Sequence, residues 1–257
     1  MIKCVVPVSG GKDSQACLKL ASQLFKPSEV FGLFCDTQFE HPETYKHIER
    51  MRELYGIQIL TITAGSVDEK VMRYGRFPGG GARHCTDELK ITPSKKWYKQ
   101  LAELQESGFV VFYGMRSDES AERAKRYNMK MGDYEYLPHE VLNKYPQYLG
   151  KLGVRFRLPI IDWTNKQVFD FLDGEQNPLY SAGFDRVGCF PCLAGGDAWK
   201  EKAFAHDKFG HEQRIRVAVL EDAIGKSVFT SKGALQRNNK DQTDLFSSSP
   251  GCRICEI

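Results

Sequence analysis

Ser9-Gly10-Gly11-Lys12-Asp13-Ser14 is the first stretch of the chain whose residue types could do chemistry. Adjacent glycines let the backbone bend so that successive N–H groups face one hollow. A helix beginning at Ser14 would add its own free amides and positive end, and Lys12 adds a full charge. Such a hollow suits an anion with several oxygens. Asp13 could hold a magnesium ion bridging phosphates. Asp36, at the end of the next apolar run, could bind a ribose hydroxyl or a metal. Further on, Gly114 and Arg116 follow another apolar run, and a guanidinium there can reach phosphate with two parallel bonds. Arg123, seven residues later, shares a helix face with Arg116 only if the segment is helical; with Glu119 it could equally form a solvated i,i+4 pair. Lys90 is either a phosphate ligand or a surface helix residue.

The eight cysteines fall into two groups. Cys4, Cys17 and Cys35 lie in apolar runs and read as buried thiols. Cys85, Cys189, Cys192, Cys252 and Cys255 lie among Gly, Pro and polar residues. Cys189-x-x-Cys192 and Cys252-x-x-Cys255 have metal-ligand spacing, which suits a zinc site or a four-iron, four-sulfur cluster. His84 reads as a packing or hydrogen-bonding residue.

These residues need a scaffold, and the apolar pattern supplies one. Strands are expected over Ile2–Val8, Val30–Cys35, Gln58–Thr63, Phe109–Tyr113 and Arg155–Ile161. Helices are expected over Ser14–Phe25, Pro42–Tyr55 and Thr86–Glu106. Strand and helix in alternation predict an α/β fold, a doubly wound parallel sheet with helices on both faces. Ligands bind such sheets at the carboxyl ends of the strands, near a switch in strand order. Ser9, Asp36 and Gly114 to Arg116 all fall there. Residues 1–163 are therefore expected to form a nucleotide-binding domain. Residues 164–257 read as a helical, cysteine-bearing extension packed on it, with helices Lys166–Leu172, Trp199–Phe209 and Glu212–Ile224. Tyr127–Gly150 is aromatic-rich and irregular, a lid or an insertion.

Composition sets the outer bounds. At 257 residues, one large domain, or one with an appendage, is expected. Hydrophobic residues make up 41%, enough for a core and against disorder. No apolar run approaches a membrane span. The beginning carries no export signal, so a cytoplasmic location is expected, where eight cysteines are not a disulfide framework. A net charge of +3 does not point to nucleic acid or exclude it. Arg116 to Arg157 holds nine Lys/Arg against six Asp/Glu with tyrosines interleaved, which fits a single-strand groove or an ordinary solvated surface.

The glycine loop resembles the PP-loop of the adenine nucleotide alpha-hydrolase superfamily, whose members cleave ATP between the alpha and beta phosphates. Four further stretches resemble the PAPS reductase family within it: Phe34-Cys35-Asp36-Thr37 with His41 to Tyr45; Arg83 to Thr86 with Leu89, Lys90 and Pro93; Gly114 to Ser120 with Arg123; and Pro159–Trp163 with Asn177 to Tyr180 and Gly188 to Cys192. The resemblance covers roughly residues 3–196. It implies a Rossmann-like fold and a site in which Ser9, Gly10, Gly11, Lys12, Asp13, Ser14, Asp36, Lys90, Gly114, Arg116 and Arg123 bind an adenine nucleotide. Lys12, Asp13 and Arg116 would act in catalysis, with Mg2+. Iron–sulfur members use a Cys-Cys pair here plus a later Cys-x-x-Cys. Cys85 matches the first of that pair and Thr86 stands in place of the second. That leaves Cys85, Cys189 and Cys192 as ligands of a [4Fe-4S] cluster, with Cys252 or Cys255 completing the set or one iron left open.

The resemblance implies two chemistries. One is adenylation by ATP with pyrophosphate release, supporting sulfur transfer between an unnamed donor and acceptor. The other is reduction of PAPS or APS to sulfite. Lys12 and Asp13, intact in the loop, favour the first, as does the absence of the reductases' Glu-Cys-Gly-Leu-His ending. A third reading is a non-catalytic nucleotide-binding accessory protein of a mobile element, phage or CRISPR locus. A homodimer is compatible with each.

Overall fold

The computed structural model describes residues 1–79 and 83–230. Among these, β1 (Cys4–Val8), β2 (Val30–Asp36), β3 (Gln58–Thr63), β4 (Val110–Phe112) and β5 (Arg155–Arg157) form one sheet in the order β3-β2-β1-β4-β5. Every pairing is parallel. β1 is central because its Cys-Val-Val run can be buried on both faces, and Cys4, Val5 and Val6 are fully buried. The chain builds outward from β1 to β3 and then returns to β4 on the other side. The strand order therefore switches between β1 and β4, and a crevice opens beyond their carboxyl ends.

Helices α1 (Lys12–Leu24), α2 (Pro42–Tyr55) and α9 (Asn165–Leu172) cover one face. Ala16, Cys17, Ile48, Met51, Val168 and Leu172 pack there with Val6 and Phe34. The other face is covered by α5 (Thr92–Leu104) with the short helices α7 (Pro138–Val141) and α8 (Gln147–Lys151), where Tyr98, Tyr145 and Leu149 meet Val5, Leu33 and Phe156. Val5 and Val6 point to opposite faces, the alternation of a strand. A third cluster joins α3 (Val67–Tyr74) to α11 (Lys208–Ile224) through Val67, Val71, Leu89, Val217 and Leu220, with Cys85 and Cys189 at its margin. The remaining helices are α4 (His84–Thr86), α6 (Ala121–Tyr127) and α10 (Asp197–Phe204).

The doubly wound parallel sheet expected from the sequence is present. Several boundaries differ. The helix expected over Thr86–Glu106 starts at His84 and contains a π-helical turn, Asp87–Ile91, before α5. The fifth strand stops at Arg157, because Pro159 cannot donate to a ladder and the buried Leu158, Ile160 and Ile161 sit in turns. The last two helices divide at Asp207, whose side chain accepts from the Gly210 N–H and starts α11 there. Within Tyr127–Gly150, α7 and α8 are ordered and supply core residues. Among the described residues, no helix is long and apolar enough to cross a membrane.

Candidate functional site

The loop between β1 and α1 is locked by its own serines. Ser14 Oγ donates to Gly11 O at 2.9 Å and accepts from the Ser9 N–H at 3.1 Å. Gly10 has φ +74°, a conformation open to glycine, and a Cβ there would lie 2.5 Å from Thr44 Cγ2. Gly11 caps α1 with extended backbone and no side-chain bond. The helix thus begins with main-chain donors at the crevice mouth.

Two buried cations meet at this point. Lys12 is 4% exposed and its Nζ bonds Asp13 Oδ2 at 2.9 Å and Oδ1 at 3.1 Å. Arg116, 3% exposed, arrives from the end of β4 and donates from Nε to Asp13 Oδ1 at 2.7 Å. Its Nη1 donates to Asp118 Oδ2 and the Trp163 carbonyl, and its Nη2 to Asn165 Oδ1. Burial lowers the Lys12 pKa, with the Asp13 carboxylate opposing that fall. Gly114 permits the approach of β4 to α1: a Cβ on it would lie 2.9 Å from the Asp13 carbonyl. Asp13, Lys12 and Arg116 are thus brought together, paired with one another. The Asp13 carboxylate is taken up by these two cations, so holding magnesium would require it to exchange one of them.

Asp36 ends β2, where its Oδ1 accepts from the Gln38 N–H and the Tyr45 hydroxyl, both at 2.8 Å. Gln38 holds φ +58°. Arg123 lies on α6 and pairs with Glu119, while Arg116 precedes the 3-10 turn Ser117–Glu119. The two arginines therefore do not share one helix face.

Lys90 lies in the π-helical turn, in the electrostatic neighbourhood of Cys189, Glu40, Cys85 and Cys35, of which Cys189 does most to raise its pKa. Cys189 Sγ is 3.3 Å from Thr37 Oγ1 and faces Glu40 Oε1. Burial pushes the Cys189 thiol up to about 12, with Lys90 the main opposing influence. Burial raises Cys85 too, and both thiols feel Cys192. Three soft donors beside a cation have the chemistry of thiolate ligands. Among the described residues, no group of three or more Cys, His, Asp or Glu stands in metal-binding geometry. Cys252 and Cys255 lie outside the described residues.

Sequence reasoning missed Glu40, a carboxylate 3% exposed that accepts from the Thr37 N–H, Thr37 Oγ1 and the Phe39 N–H. It named Asn177 and Tyr180 only as part of a resembling stretch and gave them no role in the site. Asn177 Nδ2 donates to Gly10 O at 3.3 Å, and Tyr180 Oη accepts from the Lys12 N–H at 3.0 Å. The Asn-Pro-Leu-Tyr stretch was the available signal, but its partners lie more than 160 residues earlier.

A glycine-rich loop at the switch point of a doubly wound parallel sheet, flanked by buried cations, places the chain in the class of α/β folds that take ligands at this edge. Comparison with known sequences narrows the class. Residues 3–194 match the phosphoadenosine phosphosulfate reductase domain, and the chain belongs to that family. An uncharacterized protein of Methanocaldococcus jannaschii is 34% identical over 193 residues, 74% of this chain and 36% of its own length. Sulfate adenylyltransferase subunit 2 of Pseudomonas fluorescens is 30% identical over 185 residues, 68% of this chain and 57% of its own. This chain thus spans about a third and somewhat over half of those relatives. Among solved structures, the phosphoadenylyl-sulfate reductase of Candida auris aligns with a TM-score of 0.48 at 16% identity, over 74% of this chain and 83% of that one. Phosphoadenosine 5'-phosphosulfate reductase of Erwinia tasmaniensis is 27% identical over 178 residues, 68% of this chain and 65% of its own.

Proposed function

We propose that this chain binds an adenine nucleotide at the carboxyl ends of β1 and β4 and, with ATP, cleaves the bond between the alpha and beta phosphates. The observation that carries this reading is the convergence of buried Lys12 and Arg116 on Asp13 at the start of α1. An acceptor oxygen attacks the alpha phosphorus, the bond to the bridging oxygen breaks, and pyrophosphate leaves with the bond's electron pair. That departing charge is what the loop amides, Lys12 and Arg116 are placed to stabilise. Gly114 lets the end of β4 approach the start of α1 closely enough for both cations to act on one group. A sulfur nucleophile then displaces AMP from the adenylated acceptor.

Cys85, Cys189 and Cys192 would supply thiolates to an iron–sulfur cluster, with Cys252 or Cys255 as the fourth. When bound, such a cluster offers an iron at which sulfur can be held. Thr37 and Glu40 fix the Cys189 side of this site.

The second reading is reduction of PAPS or APS, favoured by the family's own description. Incubation with ATP and magnesium, with APS and with PAPS plus a dithiol distinguishes the two. With water as the attacking oxygen in the absence of another acceptor, AMP and pyrophosphate from ATP are expected. Sulfite from PAPS or APS, with ATP unchanged, would establish the reductase instead. Anaerobic purification with iron, sulfide and zinc analysis tests the cluster separately; a colourless protein with one zinc per chain would exclude it.

A further inference from the structure

The hollow at the start of α1 already has an oxygen in it. Tyr180 Oη lies 3.0 Å from the Lys12 nitrogen and accepts its N–H. That amide belongs to the first residue of the helix and is one of the donors a phosphate oxygen would need. A backbone N–H is a single donor and makes one good bond at a time. We propose that Tyr180 is a gating residue of the phosphate nest, whose hydroxyl is the resident acceptor at Lys12 and must yield that amide when a phosphoryl group enters. The proposal rests on the nucleotide-binding reading given above and deepens it.

The placement of Tyr180 is built. Its 3-10 turn, Pro178–Tyr180, is capped by Asn177, whose Oδ1 accepts from the Leu179 N–H and whose Nδ2 holds Gly10 O. The segment just before it is tied to α1: Gln15 Nε2 donates to Glu175 O at 2.9 Å, and Lys19 pairs with the Glu175 carboxylate at 2.9 Å. The tyrosine ring packs edge-on against Phe169 at 5.4 Å and lies 5.9 Å from Lys12 Nζ. From the far side, a Cβ on Gly11 would lie 3.1 Å from the Val187 carbonyl and 3.4 Å from Tyr180 Oη. The second glycine of the loop thus makes room for this strap as well as for a ligand. Binding a phosphoryl group costs the Lys12–Tyr180 bond, and removing the hydroxyl removes that cost while keeping the ring and its packing.

The test is calorimetric titration of the full chain with pyrophosphate and with magnesium ATP, comparing wild type with Tyr180→Phe. Affinity in the variant is expected to rise about three- to tenfold, the worth of one exchanged hydrogen bond. Equal or weaker affinity in Tyr180→Phe overturns the gate while leaving nucleotide binding standing. If neither protein binds either ligand, the nucleotide reading falls and the gate falls with it. A crystal of the wild type grown with pyrophosphate gives a second readout. The Tyr180 Oη to Lys12 N separation should open beyond 3.5 Å, and pyrophosphate bound with that contact still at 3.0 Å overturns the proposal.

Discussion

At the scale of single residues, Lys12 is the buried cation on which the proposed chemistry turns. Its charge is buried beside one carboxylate, and it is retained there because Asp13 offsets the desolvation that lowers its pKa. Lys12→Met removes the charge and leaves Asp13 paired with Arg116, so the fold should persist. A charge-assisted bond to phosphate is worth roughly 1.5–3 kcal/mol, so pyrophosphate affinity should fall about 10- to 150-fold. Titration calorimetry reads this directly; unchanged affinity would remove Lys12 from the site.

His47 is a second residue whose state can be read. Its Nε2 bonds Gln15 Oε1 at 2.9 Å, and Nδ1 is buried with no partner among the described residues. Burial lowers its pKa to about 4. Between the ordinary histidine value of 6.5 and about 4, the unfolded chain takes up a proton that the native chain refuses. Stability contributed by neutral His47 is therefore present above pH 6.5 and declines as pH falls, by about 1.4 kcal/mol per unit. His47→Gln keeps a donor toward Gln15 and cannot titrate. The stability difference between wild type and variant should shrink or reverse on acidification through this window; a difference that ignores pH would refute the assignment.

At the scale of elements, the contact between β4 and α1 is a constraint that backbone, not a side chain, imposes on the site. The Cβ of a Gly114→Ala variant would meet backbone atoms of Asp13 at 2.9 Å, and backbone cannot rotate away as a side chain can. The start of α1 must shift, at about 1–3 kcal/mol. Thermal denaturation should show that loss, and pyrophosphate binding should weaken in the same variant, because Arg116 and the loop amides no longer converge. A loss of stability with intact binding would mean that the helix start does not contact the ligand.

Elements also show what a sequence can and cannot reveal. β1 to β3 were legible because a buried parallel strand is a short, β-branched apolar run between turns. α3 carried a readable signal that was overlooked: Ser66 and Glu69 form a reciprocal capping box three residues apart. The over-long fifth strand shows the opposite failure. Leu158, Ile160 and Ile161 are as buried as strand residues, yet burial does not specify extended backbone. The glycine loop was legible because its neighbours in space are its neighbours in sequence. The roles of Tyr180 and Glu40 were not: the partner of Tyr180 lies 168 residues away, and Glu40 falls between the quoted stretches although its partner Thr37 lies within one.

At the scale of the whole molecule, α11 links the two candidate centres. Arg216 reaches Asp68 at 2.7 Å and the Gln38 carbonyl at 2.9 Å, on the loop after β2. Asp207, at the start of the same helix, pairs with His41 at 2.9 Å. Gln213, fully enclosed, donates from Nε2 to the Phe190 carbonyl at 2.8 Å, one residue after Cys189. The Phe190 N–H in turn donates to Phe39 O. One helix thus braces the loop carrying Asp36 and the loop carrying the thiols. α9 shares a core with α1 and the sheet, and α11 shares one with α3, the helix after β3. The chain should therefore melt as one unit. Gln213→Ala leaves the buried Phe190 carbonyl without its partner, at a cost of about 1–3 kcal/mol. In a protein of this size that corresponds to roughly 2–4 °C per kcal/mol in the melting temperature. Scanning calorimetry should show a single transition displaced downward as a whole. Two transitions, with only the later one moved by Gln213→Ala, would instead make the helices after residue 164 a body that folds apart from the sheet.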